Sequence, residues 1–337
     1  MYRRLGRLLW FLEEMSISFS DLWTYLECPL AFLYRKEGVP RLDSAGSRVG
    51  NVVHNRADVG DTEEARQYQD RQFEGLDDTE TIGEDGQVIP SQRARAEKQV
   101  DRLVATDARL DAADPSTDKR NEQLHAFHDT NWWFPEWATL PAHLADYKER
   151  SGWTFYTKVD QHSVNPDGGG QVLERKKGGR MQEKYKEQLY YSGTILLLNR
   201  TFKGPLHLVV RLLKAGRDVE FWYKPSKRWE QLARWRKVLA EIVANMDREV
   251  AKIRLERKFE REGGTPTAQE RVILERVNFP ARPVADGEWP CRECPWRHIC
   301  PAKKQQAVVG DADNDNAGDL VQITTSGGAK TEDSLVA

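Results

Sequence analysis

Two segments, Thr154-Phe155-Tyr156-Thr157-Lys158-Val159-Asp160 and Gln171-Val172-Leu173-Glu174-Arg175-Lys176, flank the sequence Asn165-Pro166-Asp167-Gly168-Gly169-Gly170. β-Branched and aromatic residues favour strands, whereas Asn, Pro, Asp and Gly favour turns. The stretch therefore predicts a β-hairpin, with one strand on each side of the turn.

Charged residues lie at the ends of both predicted strands. Because side chains alternate between the faces of a strand, Glu174 and Lys176 share one face while Arg175 points to the other. Asp160 ends the first strand and can face the same spot. Two carboxylates beside one ammonium group suit a metal-dependent phosphodiester hydrolase. The alternative is a solvated strand face with a weak cross-strand ion pair.

The composition limits the kinds of function. The chain has 337 residues, of which 39% are hydrophobic and 31% charged, and its net charge is −2. This is enough for a real core, and it gives no overall basic character. DNA binding would therefore depend on a local basic patch. No segment is long and apolar enough to span a bilayer, so we expect a cytoplasmic protein that does not bind membranes.

The order of predicted elements supports a mixed α/β protein. Ser18 and Asp21 indicate a helix N-terminus, and Cys28-Pro29 predicts a break in that helix. Apolar spacing predicts further helices over 46–58, which carries His54, over 181–198 and over 226–261. Strands are predicted over 205–213 and 218–223. The polar region 61–149 is interpreted as a helical insertion, and 309–337 as a disordered acidic tail.

All four cysteines can form one site. Cys291, Cys294 and Cys300 have the spacing Cys-x2-Cys-x5-Cys, and Cys28 lies far back in the chain. Four thiolates can hold either a structural zinc ion or an iron–sulfur cubane. The three-plus-one arrangement favours iron–sulfur, and His298 is an alternative ligand. Such a clasp would tie the C-terminal region to the first helix.

These features, in this order, resemble the RecB-like branch of the PD-(D/E)xK nuclease superfamily. The chain is most similar to the CRISPR-associated iron–sulfur exonucleases and their phage-encoded relatives. The matching pieces are Ser18 to Pro29, Gly50 to His54, Asp160 with Glu174-Arg175-Lys176, Gln188 with Tyr191, and the three C-terminal cysteines. Two departures are that Glu174 stands where the family commonly has Asp, and that Tyr190 and Tyr191 follow Gln188 more closely than the family's tyrosine does.

The resemblance implies a restriction-endonuclease-like mixed sheet flanked by helices, within a nuclease domain over 16–301. His54, Asp160, Glu174 and the Arg175 carbonyl would hold one or two Mg²⁺ or Mn²⁺ ions. Lys176 would orient or help deprotonate the attacking water, and Gln188 and Tyr191 would position the DNA strand. A [4Fe-4S] cluster would be bound by Cys28, Cys291, Cys294 and Cys300. The implied activity is that of a DNA exonuclease on single-stranded ends, with 5′ to 3′ polarity favoured.

Other functions remain open at this point. A non-cutting DNA-binding module could serve a helicase or recombinase, although the intact set of Asp160, Glu174 and Lys176 argues against a decayed site. Trimming of spacer precursors beside an integrase is a further possibility. The sequence does not separate these roles from phage recombination or repair.

Overall fold

A computed structural model describes residues 16–39, 45–83, 85, 87–114, 124–129, 154–282, 291 and 294–302. Strands and helices are mixed along these residues, as the α/β prediction requires. The predicted tail over 309–337 lies outside the described residues. None of the described helices is long and apolar enough to cross a membrane.

The described strands form two larger sheets and one small hairpin. The first sheet has the order β1 (Ser16–Ser18), β5 (Thr154–Val159), β4 (Leu124–Asp129), with β1 parallel and β4 antiparallel to β5. The second has the order β6 (Gln161–Val164), β7 (Gly170–Lys176), β8 (Leu206–Leu212), β9 (Arg217–Tyr223). Here β7 and β8 are parallel and the outer pairs are antiparallel. A separate two-stranded hairpin joins β2 (Thr81–Ile82) to β3 (Val88–Ile89).

The predicted hairpin exists, but the prediction of its first strand was wrong. The chain bends at Asp160, so β5 pairs in the first sheet and the shorter β6 becomes the partner of β7. The turn between β6 and β7 is closed by two hydrogen bonds, from the Asn165 N–H to the Gly169 carbonyl (2.8 Å) and from the Gly168 N–H to the Asn165 carbonyl (2.9 Å). Gly168 has a φ of 81°, a conformation that favours glycine. The turn residues were therefore predicted correctly, but the bend at Asp160 was not predicted.

Eight α-helices are assigned within the described part of the chain. They are α1 (Phe19–Glu27), α2 (Pro29–Lys36), α3 (Ala45–Val59), α4 (Glu63–Phe73), α5 (Gln92–Ala113), α6 (Glu183–Leu198), α7 (Arg228–Glu262) and α8 (Ala268–Glu275). The predicted helix start at Ser18 is a capping box, in which Ser18 Oγ accepts from the Asp21 N–H and Asp21 accepts from the Ser18 N–H. Cys28 ends α1 and Pro29 begins α2, as the predicted break requires.

The main core lies between the sheets and helices α1, α6 and α7. Phe19, Phe155, Tyr191 and Trp235 form its aromatic centre, with neighbouring ring centroids 5.5 to 5.9 Å apart. Buried residues of α7 recur every three or four positions from Leu232 to Ile253, which is the spacing of one helix face. Trp229 is 52% exposed, because it lies in the first turn of α7, before this buried face begins.

The region interpreted as a helical insertion, 61–149, contributes to the fold in two ways. Helices α4 and α5 pack against α3 around a second apolar cluster that includes Val52, Phe73 and Val100. Strand β4 lies in the first sheet beside β5 and places Ala126 in the main core. The described part of this region is therefore helix and strand together.

Candidate active site

Asp160 and β7 meet where the two sheets join. Asp160 follows β5 directly, and its Oδ2 accepts a hydrogen bond of 2.7 Å from the backbone N–H of Arg175. This bond fixes the Asp160 carboxylate beside the strand that carries Glu174 and Lys176. Both Asp160 and Glu174 are buried, with 8% and 6% of their surfaces exposed. The two carboxylates therefore share one partly enclosed site.

Gln188 of α6 joins Glu174 and Lys176 into a closed set of hydrogen bonds. Lys176 Nζ lies 2.8 Å from Glu174 Oε1 and 2.8 Å from Gln188 Oε1, and Gln188 Nε2 donates to Glu174 Oε1 at 2.6 Å. Each of the three side chains is held by the other two. α6 is the crossover helix that connects the parallel strands β7 and β8, so it packs across the sheet. This packing brings Gln188 of α6 to Glu174 and Lys176 of β7.

His54 reaches the site from α3. Its Nδ1 lies 3.5 Å from Asp160 Oδ1, and its side chain is 35% exposed. Burial alone would lower the pKa of His54, but contact with Asp160 and the charge of Glu174 raise the pKa above its usual value. The histidine predicted from the helix over 46–58 is thus brought to the carboxylates.

The two carboxylates have pKa shifts of opposite sign. Burial raises the pKa of Glu174, and the negative charge of Asp160 raises it further. Burial also acts to raise the pKa of Asp160, but His54 and the Arg175 N–H outweigh it and lower that pKa. Glu174 Oε2 is buried and has no hydrogen-bond partner among the described residues. An added positive charge at this position would be stabilised by both carboxylates.

No group of three or more His, Cys, Asp or Glu side chains in the described ranges is arranged to hold a metal ion. At this site, Glu174 Oε1 is engaged by Lys176 and Gln188. The unpartnered Glu174 Oε2 still fits a cation, because a carboxylate oxygen is a suitable ligand for a hard divalent ion.

Tyr191 is not brought to this group of side chains. It is 1% exposed, and its hydroxyl donates to the Ile17 carbonyl at 2.7 Å, which ties α6 to β1. Tyr190 packs against Tyr223 with a centroid distance of 5.2 Å. The tyrosine beside the site is Tyr185, whose ring centroid lies 5.4 Å from Lys176 Nζ. Sequence reasoning missed it, although Tyr185 precedes Gln188 by three residues, the spacing of neighbours on a helix face.

The side chain of Arg175 points away from the site, as predicted from strand alternation. Its Nε donates to Asp107 of α5 at 2.8 Å, and a second nitrogen lies 3.3 Å from Asp58 of α3. Arg211, its register partner on β8, also donates to Asp107 at 3.0 Å. Asp111 and Asp218 complete the contacts of Arg211. We call Arg175, Arg211 and Asp107 the buried ionic cluster; sequence reasoning did not find it.

The cysteines come from both ends of the described chain. All four are free thiols of intermediate exposure. Burial raises the pKa of Cys294, and the charges of Cys28, Cys291 and Cys300 raise it further, so the other three thiols influence this one. Trp296 Nε1 donates to the Val39 carbonyl at 3.1 Å, which connects the cysteine segment to the end of α2. His298, the alternative ligand, is exposed.

Comparison with known proteins identifies a family over most of the chain. No curated protein matches the sequence. The solved structure named "Crystal structure of SSO0001" is 12% identical, aligns over 90% of this chain and 95% of its own, and has a TM-score of 0.35, which is too low to support a structural argument. The family model described as "PD-(D/E)XK nuclease superfamily" matches residues 16–301. That range contains Asp160, Glu174 and Lys176, and the chain belongs to the PD-(D/E)XK nuclease superfamily.

Proposed function

We propose that this protein is a metal-dependent DNA exonuclease that acts on single-stranded ends, with 5′ to 3′ polarity favoured. The observation that carries the proposal is the hydrogen-bonded set of Glu174, Lys176 and Gln188 beside the Asp160–His54 pair. Membership of the nuclease superfamily supports phosphodiester hydrolysis. The resemblance to iron–sulfur exonucleases supports action on DNA ends. The corresponding pathways are recombination, repair, and phage or CRISPR DNA processing, and the corresponding partner is a helicase, recombinase or integrase.

The residues that would hold Mg²⁺ or Mn²⁺ are His54, Asp160, Glu174 through Oε2, and the Arg175 carbonyl. Two carboxylates suit either ion, and the imidazole favours Mn²⁺. A divalent cation bound there would lower the pKa of a water molecule and stabilise charge on the phosphate.

The remaining side chains have definite tasks in this proposal. Lys176 holds an ammonium group beside the carboxylates, where it can donate to the attacking water or to a phosphate oxygen. Gln188 accepts from Lys176 and donates to Glu174, so it fixes the position of both. We assign Gln188 as a positioning residue and give Tyr191 no part in the reaction, because its hydroxyl is engaged by Ile17 in the core.

The test of this proposal compares Glu174→Gln with Glu220→Gln on end-labelled single-stranded DNA. Glu220 is an exposed carboxylate of β9, at the outer edge of the second sheet, so it serves as a matched control. The wild-type chain should release nucleotides from linear strands in Mg²⁺ or Mn²⁺ and stop when EDTA is added. Glu174→Gln should lose about 10²-fold or more of the rate, since it removes a charged ligand, whereas Glu220→Gln should retain it.

Three results would contradict the proposal. Equal rates on circular and linear strands would show an endonuclease. Full activity of Glu174→Gln would place the reaction elsewhere. DNA binding without cleavage in either metal would favour the non-cutting module.

We also propose that Cys28, Cys291, Cys294 and Cys300 bind a [4Fe-4S] cluster. The proposal is supported by the Cys-x2-Cys-x5-Cys spacing of Cys291, Cys294 and Cys300, by the free state of all four thiols, and by the Trp296–Val39 hydrogen bond that connects this segment to the chain just after α2. Metal binding would overcome the raised thiol pKa, because a coordinating thiol loses its proton. In the fold, the cluster would link the junction of α1 and α2 to the C-terminal segment.

Purification without oxygen tests the cluster. The protein should be brown, absorb broadly near about 400 nm and contain on the order of four irons per chain, as a cubane held by four cysteines requires. Cys28→Ser should lose most of the iron and the colour. A colourless protein with one zinc ion per chain would overturn the iron–sulfur assignment.

A further inference from the structure

A cavity of about 680 Å³ opens at the edge of the second sheet where β7 and β8 end. These strands are parallel, with Lys176 opposite Leu212, so the loops that follow them leave the sheet side by side. The cavity lies between these loops. Its lining consists of Gly178, Gly179, Arg180, Gln182, Lys214 and Ala215.

The cavity adjoins the candidate active site. Gly178 lies two residues beyond Lys176, and a Cβ placed on Gly178 would be 3.4 Å from the Tyr185 hydroxyl. The ring of the same tyrosine lies 5.4 Å from Lys176 Nζ. Tyr185 therefore stands between Lys176 and the cavity. A strand of DNA whose scissile phosphate is at Lys176 would pass this opening with a neighbouring nucleotide.

The charge of the lining is positive and uncompensated. Arg180 and Lys214 are exposed, and neither has an ion pair or a hydrogen-bonded partner within the described residues. No carboxylate lines the cavity, and the adjacent Glu183 pairs with Lys186 at 3.9 Å. This contrasts with Arg175 and Arg211, whose charges are neutralised by buried aspartates.

The two glycines leave the backbone uncovered on the floor of the cavity. A Cβ added at Gly179 would lie 3.7 Å from the Lys214 side chain, an ordinary van der Waals distance, so Gly179 lies close to Lys214. Without side chains at Gly178 and Gly179, the floor of the cavity presents backbone groups as well as the two cations. Such a surface suits a compact anion with several oxygen acceptors.

We propose that this cavity binds a backbone phosphate of the DNA strand, next to the phosphate that is cleaved. The inference rests on the proposed nuclease function and adds a substrate-positioning site to it. The Arg180 guanidinium can donate two hydrogen bonds to one phosphate, and Lys214 adds a mobile point charge. Both are positioning residues, because they act on a phosphate that does not react.

The test compares Lys214→Ala and Arg180→Ala with Lys203→Ala in the full chain. Lys203 is also exposed and also flanks β8, but it precedes the strand, at the opposite edge of the sheet. Each cavity variant should raise KM for a labelled single-stranded oligonucleotide about tenfold and leave kcat nearly unchanged. The slope of log KM against log salt concentration should fall by about 0.7, the value for one lost phosphate contact on a single strand. Lys203→Ala should change neither quantity.

The outcomes separate the cavity from the nuclease proposal. If the wild type cleaves DNA but the cavity variants match Lys203→Ala in KM and salt slope, the phosphate site is wrong and the nuclease function stands. If the wild type does not cleave, the nuclease proposal fails, and fluorescence anisotropy with the same oligonucleotide tests the cavity alone. Weaker binding by Lys214→Ala than by Lys203→Ala then supports the site, and equal binding overturns it.

Discussion

Replacing Lys176 with methionine should lower the rate of DNA cleavage by about 10²- to 10³-fold, the usual effect of removing one donor to developing charge. Methionine keeps the length of the side chain but removes the ammonium group that lies 2.8 Å from Glu174 Oε1. The charge of Lys176 also lowers the pKa of Glu174, against burial and Asp160, which raise it. Its loss should therefore raise the pKa of Glu174 further, so that the acidic limb of the pH–rate profile moves to higher pH.

Lys177→Met is the matched control for this change. Lys177 is the next residue along the chain, but its Nζ donates to the Gly46 carbonyl at 2.5 Å. We expect its replacement to leave the rate within the same order of magnitude and the acidic limb unmoved. Cleavage rates of both variants and the wild type, measured across a pH series in Mn²⁺, test this expectation. If Lys176→Met loses rate without a shift of the acidic limb, Lys176 does not control the ionisation of Glu174.

Local sequence signals predicted many elements of this fold correctly. The Ser18–Asp21 helix start, the Cys28-Pro29 break, strands β8 and β9 and the long helix α7 all depend on residues close together in the chain. Glu174 and Lys176 were placed on one strand face for the same reason, because alternation follows from local geometry. The interactions that carry these signals are complete within one helix or one pair of strands.

The errors arose where tertiary packing decides between local alternatives. The residues from Thr154 to Val164 favour a strand throughout. They are divided at Asp160 because β5 pairs with β1 and β4, whereas β6 pairs with β7. Tyr191 and Tyr185 lie on the same helix, and contacts with Ile17 and Lys176 determine which one is core and which one borders the site. The spacing of residues in the sequence predicts neither the bend at Asp160 nor the different roles of the two tyrosines.

The buried ionic cluster could not be predicted from the chain because its members are far apart. Asp107 precedes Arg175 by 68 residues and Arg211 by 104. The polar region that contains Asp107 was interpreted as an insertion, yet this one carboxylate accepts hydrogen bonds from both central strands. Because Arg175 donates its backbone N–H to Asp160 and its side chain to Asp107, the cluster links α5 to the strand that carries the candidate site.

Replacing Asp107 with alanine should destabilise the protein by about 3 kcal/mol or more. The change removes the carboxylate shared by two fully buried guanidinium groups, and removing one partner from a buried ion pair costs about 3 to 5 kcal/mol. Urea unfolding followed by circular dichroism measures the loss as a decrease in the free energy of unfolding. The remaining contacts of Arg175 and Arg211 with Asp58, Asp111 and Asp218 limit the loss but do not replace the acceptor at Arg175 Nε.

Asp101→Ala provides the comparison on the same helix. Asp101 pairs with Arg56 at 2.6 Å, but its side chain is 67% exposed, and exposed pairs contribute about 0 to 1 kcal/mol. Both changes exchange Asp for Ala in α5, so helix propensity contributes equally to the two measurements. Equal destabilisation by the two variants would mean that the Asp107 contacts contribute no more than a surface ion pair. A large excess for Asp107→Ala would show that α5, far from the site in sequence, stabilises the strand on which Glu174 and Lys176 lie.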